Sequence, residues 1–135
     1  MQIFVCVKRV PDTESQITIA ADQKSIATED LNYIVNPYDE YAIEAALQLK
    51  EAMDAEVVLL MVGEDGSQPT IRKALAMGAD RAVLLQVEKD LQDPAQVAEI
   101  LVSYLKNQDY ALLLAGKQGA DMDHASTAMM VAQRL

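Results

Sequence analysis

The feature that most limits this chain is an alternation. Four short apolar runs are separated by segments whose apolar residues recur at helical spacing. The runs are Ile3–Val7, Glu56–Val62 (EVVLLMV), Arg81–Gln86 (RAVLLQ) and Tyr110–Ala115 (YALLLA). The helical stripes between and after them are Ala42, Ala46, Leu49 and Met53; Ile71, Ala74 and Leu75; Val97, Ile100, Leu101 and Tyr104; and the Ala- and Met-rich segment 125–135. Strands that are apolar nearly throughout have no wet face. With helices between them they form a parallel sheet covered on both sides. Right-handed crossovers then reduce the topology to a doubly wound α/β sheet with helices on both faces. The expectation is one domain over residues 1–135.

Local signals agree with this order. Asn36 suits an N-cap and Pro37 the first helical position, with Asp39 and Glu40 at the positive end of the helix dipole. Asp93-Pro94 repeats that logic. Gly78 stands where a helix ends in a left-handed residue. Between the first strand and the first helix, Gln16–Ile19 alternates polar and apolar, Asp22-Gln23-Lys24 suits a turn, and Ser25–Ala27 suits a return. A small β-hairpin excursion is expected there.

The stretch Tyr110–Thr127 (YALLLAGKQGADMDHAST) carries the most chemistry. A buried strand breaks at Gly116, passes Gly119, and enters a helix. In a doubly wound sheet such a unit builds a ligand crevice at the carboxyl ends of the strands, with loop N–H groups and a helix start facing an anion. The same pattern also serves as a plain connector. It is not a Walker A loop, which needs glycine where Ala111 stands and Ser or Thr where Gln118 stands. If strands one and four are neighbours across the switch point, Cys6, Val7, Lys8, the Asn36 helix start and the 116–127 loop share one pocket. Lys8 and Arg9, closing the first strand, are either a solvated strand end or a basic edge facing an anion.

Composition narrows the classes. The formal net charge is −10, against the basic patches that nucleic acid requires. Trp is absent and Phe occurs once, which leaves no base-stacking platform. A single Cys forms no internal disulfide and fits a reducing, cytoplasmic setting. With one His beside it, a structural zinc site is not expected. Asp121, Asp123 and His124 could hold a divalent cation, although acids at a helix start serve the dipole alone. No apolar run has the length of a membrane span.

The segments VCVKRVPDTE, NPYDEYAIEAALQLKE, IRKALAMGADRAVLL and LLLAGKQGADMD resemble the N-terminal part of the electron transfer flavoprotein β subunit, of the bacterial type. The resemblance runs along most of the chain, and ALAMGADRAV is its most specific part. It implies an adenine nucleotide α-hydrolase-like α/β domain that binds AMP as a structural ligand. It also implies an electron carrier without catalytic residues, paired as a heterodimer with an α subunit that holds most of the FAD site and serving dehydrogenase electron donors. Carried over by position, the nucleotide contacts are Cys6, then Asn36, Pro37, Tyr38 and Asp39, then Val62. The last loop adds Gly116, Lys117, Gln118, Gly119, Ala120, Asp121, Met122, Asp123, His124, Ala125, Ser126 and Thr127. Cys6 and Val62 would read the adenine edge, and the loop amides with the Ser126 and Thr127 hydroxyls would hold phosphate.

The last loop departs from the family pattern. Many relatives carry a third acid and an Asn-Gln pair where this chain has Asp121–Thr127, and its Ala-Ser-Thr ending resembles bacterial members that serve amine dehydrogenases. Bifurcating relatives bind a second FAD in place of AMP, so both ligands stay open. A stand-alone adenine-nucleotide protein of the stress-protein type is a further alternative. Family members continue into a further strand and a dehydrogenase-docking loop, so the 135 residues are expected to be the first part of a longer subunit.

Overall fold

The structure is a computed structural model that describes residues 1–89 and 91–135. Its elements run β1 (Gln2–Cys6), β2 (Arg9–Pro11), β3 (Tyr33–Val35), α1 (Pro37–Met53), β4 (Glu56–Gly63), α2 (Gln68–Leu75), β5 (Arg81–Gln86), α3 (Pro94–Leu105), β6 (Leu112–Ala115) and α4 (Thr127–Arg134). A 3-10 turn at Asp65–Ser67 leads into α2.

The main sheet has the order β5-β4-β1-β6 and is parallel at every pairing. The chain moves outward from β1 through β4 to β5, then crosses back to lay β6 on the other side of β1. That reversal between β1 and β6 is the switch point on which the crevice depends, and the two strands are paired, with Cys6 opposite Ala115.

Alternation along β1 divides the core. Ile3 and Val5 face α1 and α2, packing with Ile43, Ala46, Ile71 and Ala74. Phe4 faces the other way, with Ala98, Leu101, Val102 and Leu105 of α3 and Val131 of α4. Phe4 is fully buried between Tyr104 and Tyr110, whose rings meet it edge-on at 6.1 and 5.6 Å. The fold is therefore the doubly wound α/β sheet that the apolar periodicity implies.

Two local expectations hold in their physics. The Asp93 side chain accepts from Ala95 N–H at 2.8 Å, capping α3. Gly78 has φ +126° just past α2, a conformation that L side chains rarely adopt. The excursion after β1 differs in detail. Among the described residues a single bridge, Ile19 with Ile26, joins the two expected arms, and the turn is closed by Asp22 accepting from Lys24 and Ser25. The antiparallel ribbon proper is β2 with β3, which brackets the excursion at its base. Tyr33–Val35 has only three residues, too few for a strand alternation to show in the sequence.

Candidate functional site

The carboxyl ends of β1, β4 and β6 open into a cleft of about 1170 Å³. Its polar wall is the loop from Gly116 to Thr127. Its apolar wall includes Val97 and Leu101 of α3 and Val131 of α4, which the sequence reading left out of the site. Ile17 and Ile26 of the excursion lie along its rim.

The loop is held from behind by the first turn of α1. Asn36 stands at the cap position, yet its side chain makes no capping bond. Instead Nδ2 donates to the Gln118 carbonyl at 2.8 Å and Oδ1 accepts from Ala120 N–H at 3.0 Å. One carboxamide thus fixes both ends of the Gln118-Gly119-Ala120 backbone. The local sequence Asn-Pro-Tyr-Asp makes a good cap on paper, and tertiary pairing takes the side chain elsewhere.

Asp39 is a second such bolt. It is 6% exposed, whereas a dipole-serving acid would sit in water. Oδ2 accepts from Lys8 N–H at 2.7 Å, and Oδ1 accepts from Gly116 N–H at 3.1 Å. One carboxylate therefore joins the end of β1, the end of β6 and the start of α1. Burial pushes its pKa up to about 6, against those hydrogen bonds and the nearby Lys8 charge, which favour the ionised form. Gly116 is glycine because α1 comes close: a Cβ there would meet Tyr38 C at 2.7 Å and Asp39 N at 2.8 Å, and would collide with Asp39 Oδ1.

These bolts decide which loop amides stay open. Gly116 and Ala120 donate to Asp39 and Asn36, Met122 to the Asp121 side chain, and Asp123 to the Gly119 carbonyl. Asp123 has φ +54° and accepts from Gln118 Nε2 at 2.8 Å. Among the described residues, the N–H groups of Lys117, Gln118, Gly119 and Asp121 have no protein acceptor. Successive amides of this kind are what an oxyanion needs.

The expected site residues divide. Cys6, Asn36, Asp39, Val62, Gly116 through Met122, His124 and Thr127 line the cleft. Pro37, Tyr38, Asp123, Ala125 and Ser126 do not. Ser126 stands at the cap of α4 without a side-chain bond, and Thr127 opens the helix facing the cleft. Cys6 is the floor, where burial and then the Asp39 charge push its thiol up to about 12, so it is present as a neutral thiol.

Two basic residues that were ambiguous in the sequence now have partners. Lys8 Nζ lies 2.7 Å from both oxygens of Asp121 at the cleft mouth. Arg9 stacks 3.7 Å from the Tyr33 ring centroid and reaches Glu64 at 3.3 Å and Ser67 Oγ at 3.4 Å. Its buried Nε has no partner among the described residues. The three groups considered for a cation are drawn apart in role: Asp121 holds Lys8, Asp123 holds Gln118, and His124 faces the cleft.

A family model described as the electron transfer flavoprotein domain matches residues 23–135. The chain belongs to that family. It is 39% identical to the electron transfer flavoprotein subunit beta of Bacillus subtilis over 137 residues, covering all of this chain and 52% of that protein. The corresponding protein of Syntrophomonas wolfei is 40% identical over 136 residues, covering all of this chain and 53% of its own length. The human one is 37% identical over 136 residues, covering 98% of this chain and 53% of its own length. The chain spans about half the length of the curated relatives it matches. Within this electron transfer flavoprotein domain, no helix among the described residues is long and apolar enough to cross a membrane.

Proposed function

We propose that this chain is the nucleotide-binding part of an electron transfer flavoprotein β subunit. It binds AMP structurally and pairs with an FAD-bearing α subunit to carry electrons from dehydrogenases to an acceptor in the cytoplasm. The observation that carries the reading is the open set of amides at Lys117–Gly119 and Asp121, presented at the β1/β6 switch point by a loop bolted to α1. Cys6 and Val62 put strand-end backbone beside an apolar wall, which suits an adenine ring, and the loop suits its phosphate. The chain's own residues bind and orient the ligand. Redox chemistry comes with the flavin when it is bound, chiefly by the α subunit.

A second reading places FAD in the same cleft. Its volume of about 1170 Å³ exceeds the range of roughly 300–1,000 Å³ usual for small-ligand pockets, and this favours a dinucleotide. Denaturing the purified protein and weighing the released nucleotide separates the two. AMP at near-stoichiometric yield is expected, FAD supports the second reading, and ATP turnover would sink both in favour of a stand-alone nucleotide protein. Recovery of a larger yellow chain with the protein checks the heterodimer.

A further inference from the structure

We propose that Lys8 sets the specificity of the cleft for a phosphorylated ligand, by neutralising Asp121 and offering its remaining proton to a phosphoryl oxygen. The proposal rests on the nucleotide-binding reading above and adds a residue that the loop pattern did not contain.

The backbone of Lys8 cannot drift. Its N–H donates to Asp39 and its carbonyl accepts from Asn36 N–H at 2.9 Å. The two residues that bolt the loop therefore also aim the Lys8 side chain, and it lines the cleft beside the open amides. At its tip, Nζ meets both Asp121 oxygens at 2.7 Å. The side chains stay 42% and 20% exposed, so the ammonium is within reach of a ligand entering from solvent.

The loop makes room for this pair. A Cβ at Gly119 would stand 2.6 Å from Asp121 Oδ1 and 3.1 Å from Lys8 Nζ. Glycine at 119 thus leaves the ion pair on the loop backbone, next to amides without a protein acceptor.

Charge explains why the pair matters. An anion-binding loop that carries Asp121 and Asp123 would repel phosphate through its own side chains. Asp121 Oδ1 is also tied to Met122 N–H at 2.9 Å, so this carboxylate is held close to the loop. Lys8 cancels its field. An ammonium has three protons, and two of them serve the Asp121 oxygens. The third completes a site in which backbone amides and one cation share a phosphoryl group. A nucleoside, lacking that group, gains nothing from Lys8.

The test is calorimetric titration of the purified protein, freed of endogenous nucleotide, with AMP and with adenosine. In Lys8→Met, AMP affinity is expected to fall roughly 10- to 100-fold, the usual weight of a charge-assisted hydrogen bond, with adenosine affinity unchanged. Lys8→Met combined with Asp121→Asn recovers part of the AMP affinity, because the repelling carboxylate has gone while the hydrogen bond from the ammonium is still missing. Equal losses for AMP and adenosine would make Lys8 merely structural and overturn the proposal, as would AMP affinity unchanged in Lys8→Met. If the unaltered protein binds neither AMP nor adenosine, the nucleotide reading itself fails and the proposal falls with it. Circular dichroism of each variant separates misfolding from lost binding, and Lys8→Arg, which keeps the charge, is expected to retain the preference for AMP.

Discussion

Gly116→Ala tests the close approach of α1 to the loop. The added methyl would lie 2.7 Å from Tyr38 C and 2.8 Å from Asp39 N, both backbone atoms in the first turn of a helix. Neither retreats by a rotamer change, so the loop or the helix end has to move. Overpacking of this kind costs about 1–3 kcal/mol. The displacement also breaks the bond from Gly116 N–H to the Asp39 carboxylate and leaves a buried charge short of a donor, worth about 1.5–3 kcal/mol. The expected loss is therefore about 2.5–6 kcal/mol, a large part of a typical domain's stability. Urea denaturation followed by far-UV circular dichroism measures it as a fall in midpoint at constant slope. Gly119→Ala is the control, since its methyl meets only the ends of the Asp121 and Lys8 side chains, and it is expected to cost less than about 1 kcal/mol. A Gly116→Ala protein within about 0.5 kcal/mol of the original would show that the contact between loop and helix is not as tight as argued.

Asn36→Ala removes the two bonds that fix Gln118 and Ala120, so faster hydrogen exchange at 117–120 and weaker nucleotide binding are expected, with about 1–3 kcal/mol of stability lost; unchanged exchange there would contradict the role given to Asn36. Thr127→Ala is expected to weaken AMP binding while Ser126→Ala leaves it alone, because Thr127 lines the cleft and Ser126 does not; titration of both variants decides it. Asp39 has a pKa raised to about 6 in the folded protein, so its contribution to stability is fully present below the unfolded value of 3.8 and is lost as pH rises through 6. Stability is thus expected to gain about 1 kcal/mol between pH 7 and pH 5 from this group, and Asp39→Asn should flatten that window in denaturation curves. Glu56 and Asp80 act in the opposite sense at lower pH: Arg81 holds the first and Lys50 the second below the usual carboxylate range, so their contribution is lost on further acidification.

Much of the fold was legible because its signals are short-range. Apolar runs without polar interruption marked β1, β4, β5 and β6, and Asp93-Pro94 and Gly78 marked helix boundaries by conformations that few other residues supply. The switch point followed once β6 was placed beside β1. The site was legible as a region and not as a set of roles. Asn36 and Asp39 satisfy every local rule for a helix start, and nothing within five residues of them signals that both side chains are committed to a loop some eighty residues away. Lys8 was ambiguous for the same reason, since its partner Asp121 is brought to it by the sheet. The wall from α3 and α4 was invisible because Val97, Leu101 and Val131 read as ordinary core.

The bolting of the loop to Asn36 and Asp39 also fixes the unit in which this site can be exchanged. A loop taken from a relative with different residues at 121–127 arrives with a backbone path shaped against its own helix start. Placed here alone, it would have to fit the carboxamide and carboxylate already in position. The transplantable piece is thus two separate stretches, 36–39 and 116–127, together with Lys8, whose N–H donates to the Asp39 carboxylate and whose carbonyl accepts from the Asn36 backbone N–H.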